Sequence, residues 1–209
     1  MGRAGGHAGG DGTGVVRSAE LGKLSDTVTY LEMTAKPTRP PMPVPAAKLA
    51  LMRAERCTVS FYRYLYNVVG EPWLWYERRL WTDARLAELL ARRDVEIYVL
   101  YAWGVPAGYF ELVRAASGDT ELAYFGLLPD FIGRGFGGWF LNSAVDTAWL
   151  GSTQRIWVHT CTYDHPRALG LYQRCGFKVY ERRPVTFDDP RVSGVLPRDL
   201  KHPLLKPLD

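Results

Sequence analysis

The sequence has no long apolar run and no paired cysteines, and both absences exclude classes of protein. No apolar stretch approaches the roughly 18 residues that a membrane-spanning helix requires, and the first 30 residues lack the apolar block of a secretory signal. The cysteines Cys57, Cys161 and Cys175 show neither a CxxC pair nor a histidine at metal-ligand spacing. We therefore expect a soluble cytoplasmic protein with reduced thiols, no metal site and no membrane partner.

The chain also lacks a dense run of basic residues, although its formal net charge is +4. Lysine and arginine are scattered, and no basic aromatic platform of the kind that binds single-stranded nucleic acid is apparent. Nucleic-acid binding is thus an alternative function that rests on the net positive charge alone. We expect no nucleic-acid partner, and an anionic ligand would suit the charge.

Glycine, in contrast, is concentrated at the N-terminus, where the first 14 residues contain seven of them. Such a segment buries too little apolar surface to offset the entropy of ordering. We predict a disordered tail over residues 1–25, one folded domain over residues 26–190 and a C-terminal extension over residues 191–209. Val28 to Met33 has the composition of a strand, and five prolines between Pro37 and Pro45 predict an extended connection.

The hydrophobic period alternates between helical and strand spacing along the rest of the chain. Thr58 and Thr82 are candidate N-caps for two helices, the first of them over residues 59–69. Strands are predicted over residues 95–101, 107–113, 121–128, 155–161 and 177–181. Further helices are predicted from residue 136 and over residues 166–175. The first three of these strands are joined by short turns and predict an antiparallel meander.

The most informative segment is ELAYFGLLPDFIGRGFGGWFL, Glu121 to Leu141, which predicts a strand, a loop with four glycines and a helix. Unpaired N–H groups at a helix start carry partial positive charge, and missing Cβ atoms let a phosphate approach them. The glycines at 133, 135, 137 and 138 therefore predict a cradle for an anion. A tight turn alone would need only one or two of them.

Two other phosphate-binding motifs are disfavoured by their context. Gly133, Gly135 and Gly138 satisfy the dinucleotide pattern G-x-G-x-x-G, but that motif requires an acidic residue about 20 positions on, at the end of the next strand. This chain has Trp157 and His159 in that region. A P-loop is excluded because no Gly-Lys-Ser/Thr follows the loop.

The glycine segment resembles the GNAT superfamily of acyl-CoA-dependent N-acyltransferases, in which (Gln/Arg)-x-x-Gly-x-(Gly/Ala) opens a helix after a strand. Gly135 and Gly137 fill the two small positions, and Ile132 stands where Gln or Arg is usual. HPRALGLYQRCGF, from His165 to Phe177, resembles the family's second signature, N-x-x-A-x-x-L-Y-x-x-x-G-F. The resemblance implies an α+β fold with a mixed, mostly antiparallel sheet of six to seven strands and flanking helices. The strands that begin at Glu121 and Arg155 would splay apart.

The resemblance also implies that acetyl-CoA is the acyl donor. Its pantetheine arm would lie in the splay and pair with the main chain of Leu127 and Leu128, while His165 stands where the family's asparagine contacts that arm. The pyrophosphate would lie on the loop, whose candidate binding residues are Ile132, Gly133, Arg134, Gly135, Phe136, Gly137 and Gly138.

Acetyl transfer to an amine requires a base for the amine and a proton for the departing thiolate. By the same resemblance, Tyr172 is the candidate acid and Glu121 the candidate base, with Glu111 or water as rival bases. His159 and His165 receive no catalytic role, and direct transfer is favoured over a cysteine intermediate.

The acceptor would be a small-molecule amine or a protein amino group, and it would lie against an aromatic wall at residues 73–76. A homodimer is compatible with the sequence. A non-catalytic acyl-CoA-binding domain is the alternative function.

Overall fold

The computed structural model describes residues 22–208, which build one seven-stranded sheet and four α-helices. The strands are β1 (Lys23–Met33), β2 (Leu49–Arg53), β3 (Val95–Ala102), β4 (Val105–Arg114), β5 (Asp119–Leu127), β6 (Arg155–Thr160) and β7 (Lys178–Asp188). The helices are α1 (Val59–Gly70), α2 (Asp83–Ala91), α3 (Phe136–Ala148) and α4 (Ala168–Cys175). The predicted α+β class is confirmed.

The strand order is β2-β3-β4-β5-β6-β1-β7. Every neighbouring pair is antiparallel except β5 and β6, which run parallel. The parallel pair needs a long crossover, and α3 lies within it. The mixed, mostly antiparallel sheet and its β3-β4-β5 meander are thus as predicted.

Side chains of β5 alternate between two layers of helices. The ring of Phe125 packs on Phe140 of α3 with centroids 5.0 Å apart, whereas Tyr124 packs on Tyr66 of α1 at 5.2 Å. Because successive strand residues point to opposite faces, these contacts define the two sides of the sheet. We call them the α3 face and the α1 face.

Two threonines begin the helices that lead to the site. Thr58 Oγ1 accepts a hydrogen bond from the amide of Phe61, and Thr82 Oγ1 accepts one from the amide of Arg85. Each satisfies a donor that a helix start leaves unpaired, which confirms both predicted caps. Between α1 and α2 lie two short 3-10 turns, Glu71–Trp73 and Glu77–Leu80, on the α1 face.

The N-terminal strand begins earlier than predicted and takes a position that local pattern does not reveal. Residues 1–21 of the predicted tail lie outside the described residues, but Lys23 to Ser25 belong to β1, so the folded unit starts before residue 26. Strand β1 is inserted between β6 and β7 and pairs with both. The proline-rich segment then crosses α3, where Arg39 Nη2 donates to Asp146 Oδ1.

Residues 189–208 fold back onto the turn that follows α1. A buried ion pair between Asp189 and Arg191 begins this C-terminal segment, and Arg191 Nη1 donates to the carbonyl of Lys206. Leu196 packs with Leu74 and Tyr163 in a small second apolar cluster. The extension is therefore packed against the turn that carries the predicted aromatic wall.

Within residues 22–208, no helix has the length and apolar character needed to cross a membrane. The same residues contain no cluster of three or more His, Cys, Asp or Glu side chains that could bind a metal ion. Two surface cavities of about 390 and 250 Å³ share Arg53 in their linings, and neither is lined by a predicted site residue.

Candidate active site

The glycine loop forms an open concavity at the start of α3. Gly133 and Gly135 adopt left-handed backbone conformations, with φ of 84° and 82°, and Gly135 is the N-cap of the helix. A Cβ built on either residue would meet no atom within 4 Å. The glycines are therefore required by the backbone conformation, and the space above them is free for a ligand.

The first turn of α3 leaves its N–H groups available to that space. No side chain caps the helix among the described residues, and the first turn contains no acidic residue that would compete with an anion. Gly137 and Gly138 lie in this turn, and a Cβ on Gly137 would come within 3.9 Å of Leu127 in β5 and of Leu171 in α4. The helix start thus faces the gap beside β5, as a phosphate cradle requires.

The remaining loop residues differ in exposure. Ile132 and Arg134 are exposed, with Arg134 Nε donating to the carbonyl of Asp130. Phe136 is buried and packs on Phe131 and Trp103. Arg134 can therefore offer a charged side chain to an anion, whereas Phe136 can offer only its main chain.

Strands β5 and β6 separate beyond Glu121. Their parallel ladder ends at the pair Glu121–Trp157, and the register of β5 against β4 shifts between residues 122 and 124. A bulge of this kind bends a strand and increases its local twist. The second half of β5 consequently leaves an open edge towards β6.

The main chain of Leu128 is not free to pair with a ligand in this opening. Its amide donates to the carbonyl of Ala107, and its carbonyl accepts from the amide of Phe131. The pairing predicted for Leu128 is therefore corrected: its groups serve the 3-10 turn Pro129–Phe131 and β4. In an antiparallel strand the preceding residue presents its N–H and C=O to the opposite edge, so Leu127 keeps this role in our proposal.

Tyr172 lies on the α3 face beside the splayed half of β5. Its ring forms edge contacts with Phe125 and Phe177, at centroid distances of 6.3 and 5.9 Å. Burial, and then the negative charge of Asp164, raise the pKa of the Tyr172 phenol. A tyrosine phenol is protonated at neutral pH with or without this shift, so Tyr172 Oη carries the proton that a donor needs.

His165 lies in the loop between β6 and α4 and is held by two contacts. Its ring packs against Trp73 with centroids 5.0 Å apart, and its Nδ1 accepts a hydrogen bond from the amide of Arg167. Helix α4 starts at Ala168 rather than at the predicted Pro166, because His165 makes a local turn at this point. Burial, with a contribution from Arg167, lowers the pKa of His165.

Glu121 lies on the α1 face at the point where the splay begins. Its side chain is 24% exposed, and its Oε1 is 3.8 Å from Nδ1 of His159. Burial, reinforced by the negative charge of Glu111 and opposed by Arg78, raises the pKa of Glu121 to about 7. A carboxylate that exchanges its proton near neutral pH and remains accessible has the properties of a general base.

The rival carboxylate, Glu111, is enclosed. It is fully buried, accepts a hydrogen bond from Tyr62 Oη at 2.7 Å, and forms an ion pair with Arg78 Nη2 at 3.0 Å. Burial raises the pKa of Glu111, although Arg78 opposes this shift. Because no face of the carboxylate is open to a ligand, Glu111 acts on the site only through its charge.

The structure also reveals a contact across the splay that the sequence pattern does not predict. Trp75 Nε1 donates to Asp164 Oδ1 at 3.3 Å, linking the turn after α1 to the loop after β6. Asp164 Oδ2 in turn accepts from Thr160 Oγ1 and from the amide of Cys161. A lone aspartate after a strand carries no recognisable signal, so only the tertiary structure places it between the predicted acid and the aromatic wall.

The chain belongs to the GNAT family of acetyltransferases. The model of that family, described as "Acetyltransferase (GNAT) family", matches residues 60–177, which is more than half of the chain. This match includes the glycine loop, the splayed strands and both predicted catalytic residues.

Solved structures share the fold at low sequence identity. A GCN5-related N-acetyltransferase from Kribbella flavida is 17% identical with a TM-score of 0.55, over 87% of this chain and 66% of the other. A GCN5-related N-acetyltransferase from Sphaerobacter thermophilus is 18% identical with a TM-score of 0.58, over 83% of this chain and 55% of the other. The chain thus spans less than two thirds of the length of these two relatives.

A smaller protein is matched over nearly its whole length. The spermidine N-acetyltransferase from Vibrio cholerae, solved with CoA and spermine, is 20% identical with a TM-score of 0.51, over 68% of this chain and 96% of the other. No curated protein matches the chain.

Proposed function

We propose that the protein transfers the acetyl group of acetyl-CoA directly to a primary amine of a small molecule or a protein. The observation that carries the proposal is the continuous path from the open cradle at Gly133 and Gly135, along the free edge of β5, to Glu121. Acetyl-CoA would fit this path, because the cradle offers helix N–H groups to a pyrophosphate and the strand edge offers Leu127 to an extended arm. When bound, it would supply a thioester carbonyl that an amine can attack.

Glu121 and Tyr172 divide the proton transfers between the two faces of the sheet. An amine with a pKa of about 10.4 is mostly charged at pH 7, so it must lose a proton before it attacks. Glu121 takes that proton at its carboxylate on the α1 face. Tyr172 holds a proton at Oη on the α3 face, where it is available to the thiolate that leaves. The spermidine N-acetyltransferase from Vibrio cholerae, which shares this fold and was solved with CoA and spermine, supports an amine acceptor.

Acetyl-CoA is expected to raise the melting temperature of the protein. A ligand that binds only the folded state, at about a hundred times its Kd, stabilises it by about 2.7 kcal/mol. For a chain of this length that corresponds to roughly 5 to 10 °C. Differential scanning fluorimetry measures the shift, with acetylpantetheine, which lacks the pyrophosphate, as the control. Equal shifts with the two ligands would place the binding outside the glycine loop.

Glu121→Gln is expected to remove the acidic limb of the pH profile of kcat/KM. In the wild type the rate falls as the pH drops through about 7, because Glu121 becomes protonated and can no longer accept a proton. The loss at pH 8 should be about tenfold, below the usual range for a general base, because water reaches the partly exposed side chain. Glu88→Gln, an exposed carboxylate on α2, is the control. A limb that persists unchanged in Glu121→Gln would assign the proton transfer to another group.

A further inference from the structure

Four aromatic side chains form a continuous surface on the α1 face next to Glu121. We call Tyr30, Trp157, His159 and Tyr180 the aromatic platform. Tyr30 lies at its centre, with centroids 6.5 Å from Trp157, 5.9 Å from His159 and 6.1 Å from Tyr180. Trp157 and His159 stack at 6.2 Å with an interplanar angle of 30°.

Strand alternation explains why these rings share one face. On β6, Ile156 and Val158 are buried in the core, whereas Trp157 and His159 point to the opposite side. Tyr30 is the cross-strand partner of His159. Tyr180 is the extra residue of a bulge in β7, where the register against β1 shifts. The bulge turns its ring towards Tyr30.

The platform is open to solvent. His159 has 45% of its side chain exposed and Tyr180 is 44% exposed, while Trp157 and Tyr30 are half-buried. Contiguous exposed rings on a soluble domain commonly mark a binding surface. Cross-strand packing explains the contacts among the rings, but it does not require that His159 and Tyr180 remain exposed.

The platform is continuous with the candidate base. Trp157 is the cross-strand partner of Glu121 in the last pair of the β5–β6 ladder, and His159 is 3.8 Å from the Glu121 carboxylate. Neighbouring strands are about 4.8 Å apart, so a ring lying on Trp157 is one strand away from the carboxylate. A chain of two or three carbons would span that separation.

The charges around the platform favour a cation at the Glu121 end. Glu77, on the turn above, interacts electrostatically with His159 and with Asp164. At the opposite end Arg155 and Arg183 lie over the rings of Tyr180 and Tyr30. These cations are neutralised, because Arg155 pairs with Glu32 and Asp119, and Arg183 pairs with Glu181.

We propose that the acceptor is a primary amine joined to an aromatic ring by a short alkyl chain, with the ring on the aromatic platform and the amine at Glu121. This assignment rests on the proposed acetyl transfer. Ring stacking supplies binding energy beyond the burial of apolar area. The carboxylates of Glu121 and Glu77 attract the acceptor in its charged ammonium form, which is the form in which it binds. The platform thereby fixes the acceptor so that its nitrogen faces the splay.

The test compares tryptamine with hexylamine, which has the amine but no ring, by calorimetric binding to the protein in the presence of CoA and by thiol release with acetyl-CoA. Trp157→Leu and Tyr180→Leu are the test variants, and Trp157→Phe should restore most of the binding. Tyr64→Leu is the matched control, because Tyr64 is 43% exposed on α1 and outside the platform. Melting curves establish that each variant is folded.

The wild type should bind tryptamine at least about tenfold more tightly than hexylamine, as a stacking energy near 1.4 kcal/mol implies. Trp157→Leu and Tyr180→Leu should lose this preference without a change in the KM for acetyl-CoA, and Tyr64→Leu should keep it.

Equal binding of the two amines to the wild type would overturn the proposal and leave acetyl transfer intact. Binding without thiol release would overturn the proposed function, and with it the role of the ligand as acceptor. A dimer that dissociates in Trp157→Leu, measured by sedimentation, would make the platform a subunit interface instead.

Discussion

Replacing Tyr172 with Phe is expected to lower kcat by about tenfold to a thousandfold, within or just below the range for the loss of a general acid, while the affinity for acetyl-CoA stays nearly constant. Phe keeps the ring that packs on Phe125 and Phe177 and removes only the phenol. Since the affected group acts on the leaving thiolate, the loss should appear in kcat and kcat/KM alike. Steady-state thiol release with a good amine acceptor measures it.

Tyr98→Phe is the matched control for this substitution. Tyr98 is half-buried, whereas Tyr172 is buried, but Tyr98 likewise packs on a phenylalanine, Phe110, with centroids 4.9 Å apart, and it lies on β3 away from the splay. It should retain the wild-type rate. If Tyr172→Phe also turns over at the wild-type rate, water or another residue protonates the thiolate.

Replacing Gly135 with Val is expected to weaken acetyl-CoA binding by at least about a hundredfold, which corresponds to about 2.8 kcal/mol. The glycine has φ of 82° and begins α3, so a β-branched side chain would both strain the backbone and fill the space in front of the helix N–H groups. Calorimetric titration with acetyl-CoA measures the loss, and circular dichroism verifies that the variant is folded.

Gly151→Val separates these two effects. Gly151 has φ of 77° and equally open surroundings, but it lies beyond the C-terminal end of α3. A valine at this position would strain the backbone in the same way without touching the cradle. The Gly151→Val protein should therefore lose some stability and keep its affinity for acetyl-CoA. Equal loss of affinity in both variants would show that strain, rather than obstruction of the phosphate site, is responsible.

Local sequence signals identified the parts of the site that depend on local physics. The glycine loop was predictable because positive φ and open space require glycine at 133 and 135, and those positions stand between an apolar strand and a helical period. The helix caps at Thr58 and Thr82 were also predictable, because each threonine hydroxyl binds an amide only three residues further along the chain. The family resemblance added the splay of β5 and β6, which the structure shows beyond the pair Glu121–Trp157.

Features that depend on non-local pairing were not predictable from one sequence. The strand Leu49–Arg53 has no clear alternation, and only its pairing with β3 makes it a strand. The insertion of β1 between β6 and β7 brings Tyr30 next to His159 from more than a hundred residues away. Its strand composition was recognisable, but its place in the sheet was not, and the aromatic platform depends on that place.

The protonation properties of Glu111 and Glu121, the two carboxylates on the α1 face, were likewise not predictable from the sequence. Both were candidate bases, and sequence alone ranked them only by resemblance. The structure separates them, because Glu111 is sealed between Tyr62 and Arg78 while Glu121 remains partly exposed with a pKa near 7. Burial and pairing of this kind arise from residues distant in the chain.

The most direct test of the account is acetyl-CoA turnover, followed by thiol release, across a panel of primary amines. We expect thiol release that depends on the amine, saturates with acceptor concentration and yields one N-acetylated product for each thiol, as mass spectrometry would verify. Tight binding of acetyl-CoA with no amine-dependent release for any member of the panel would contradict acetyl transfer and would identify the protein as a non-catalytic acyl-CoA-binding domain.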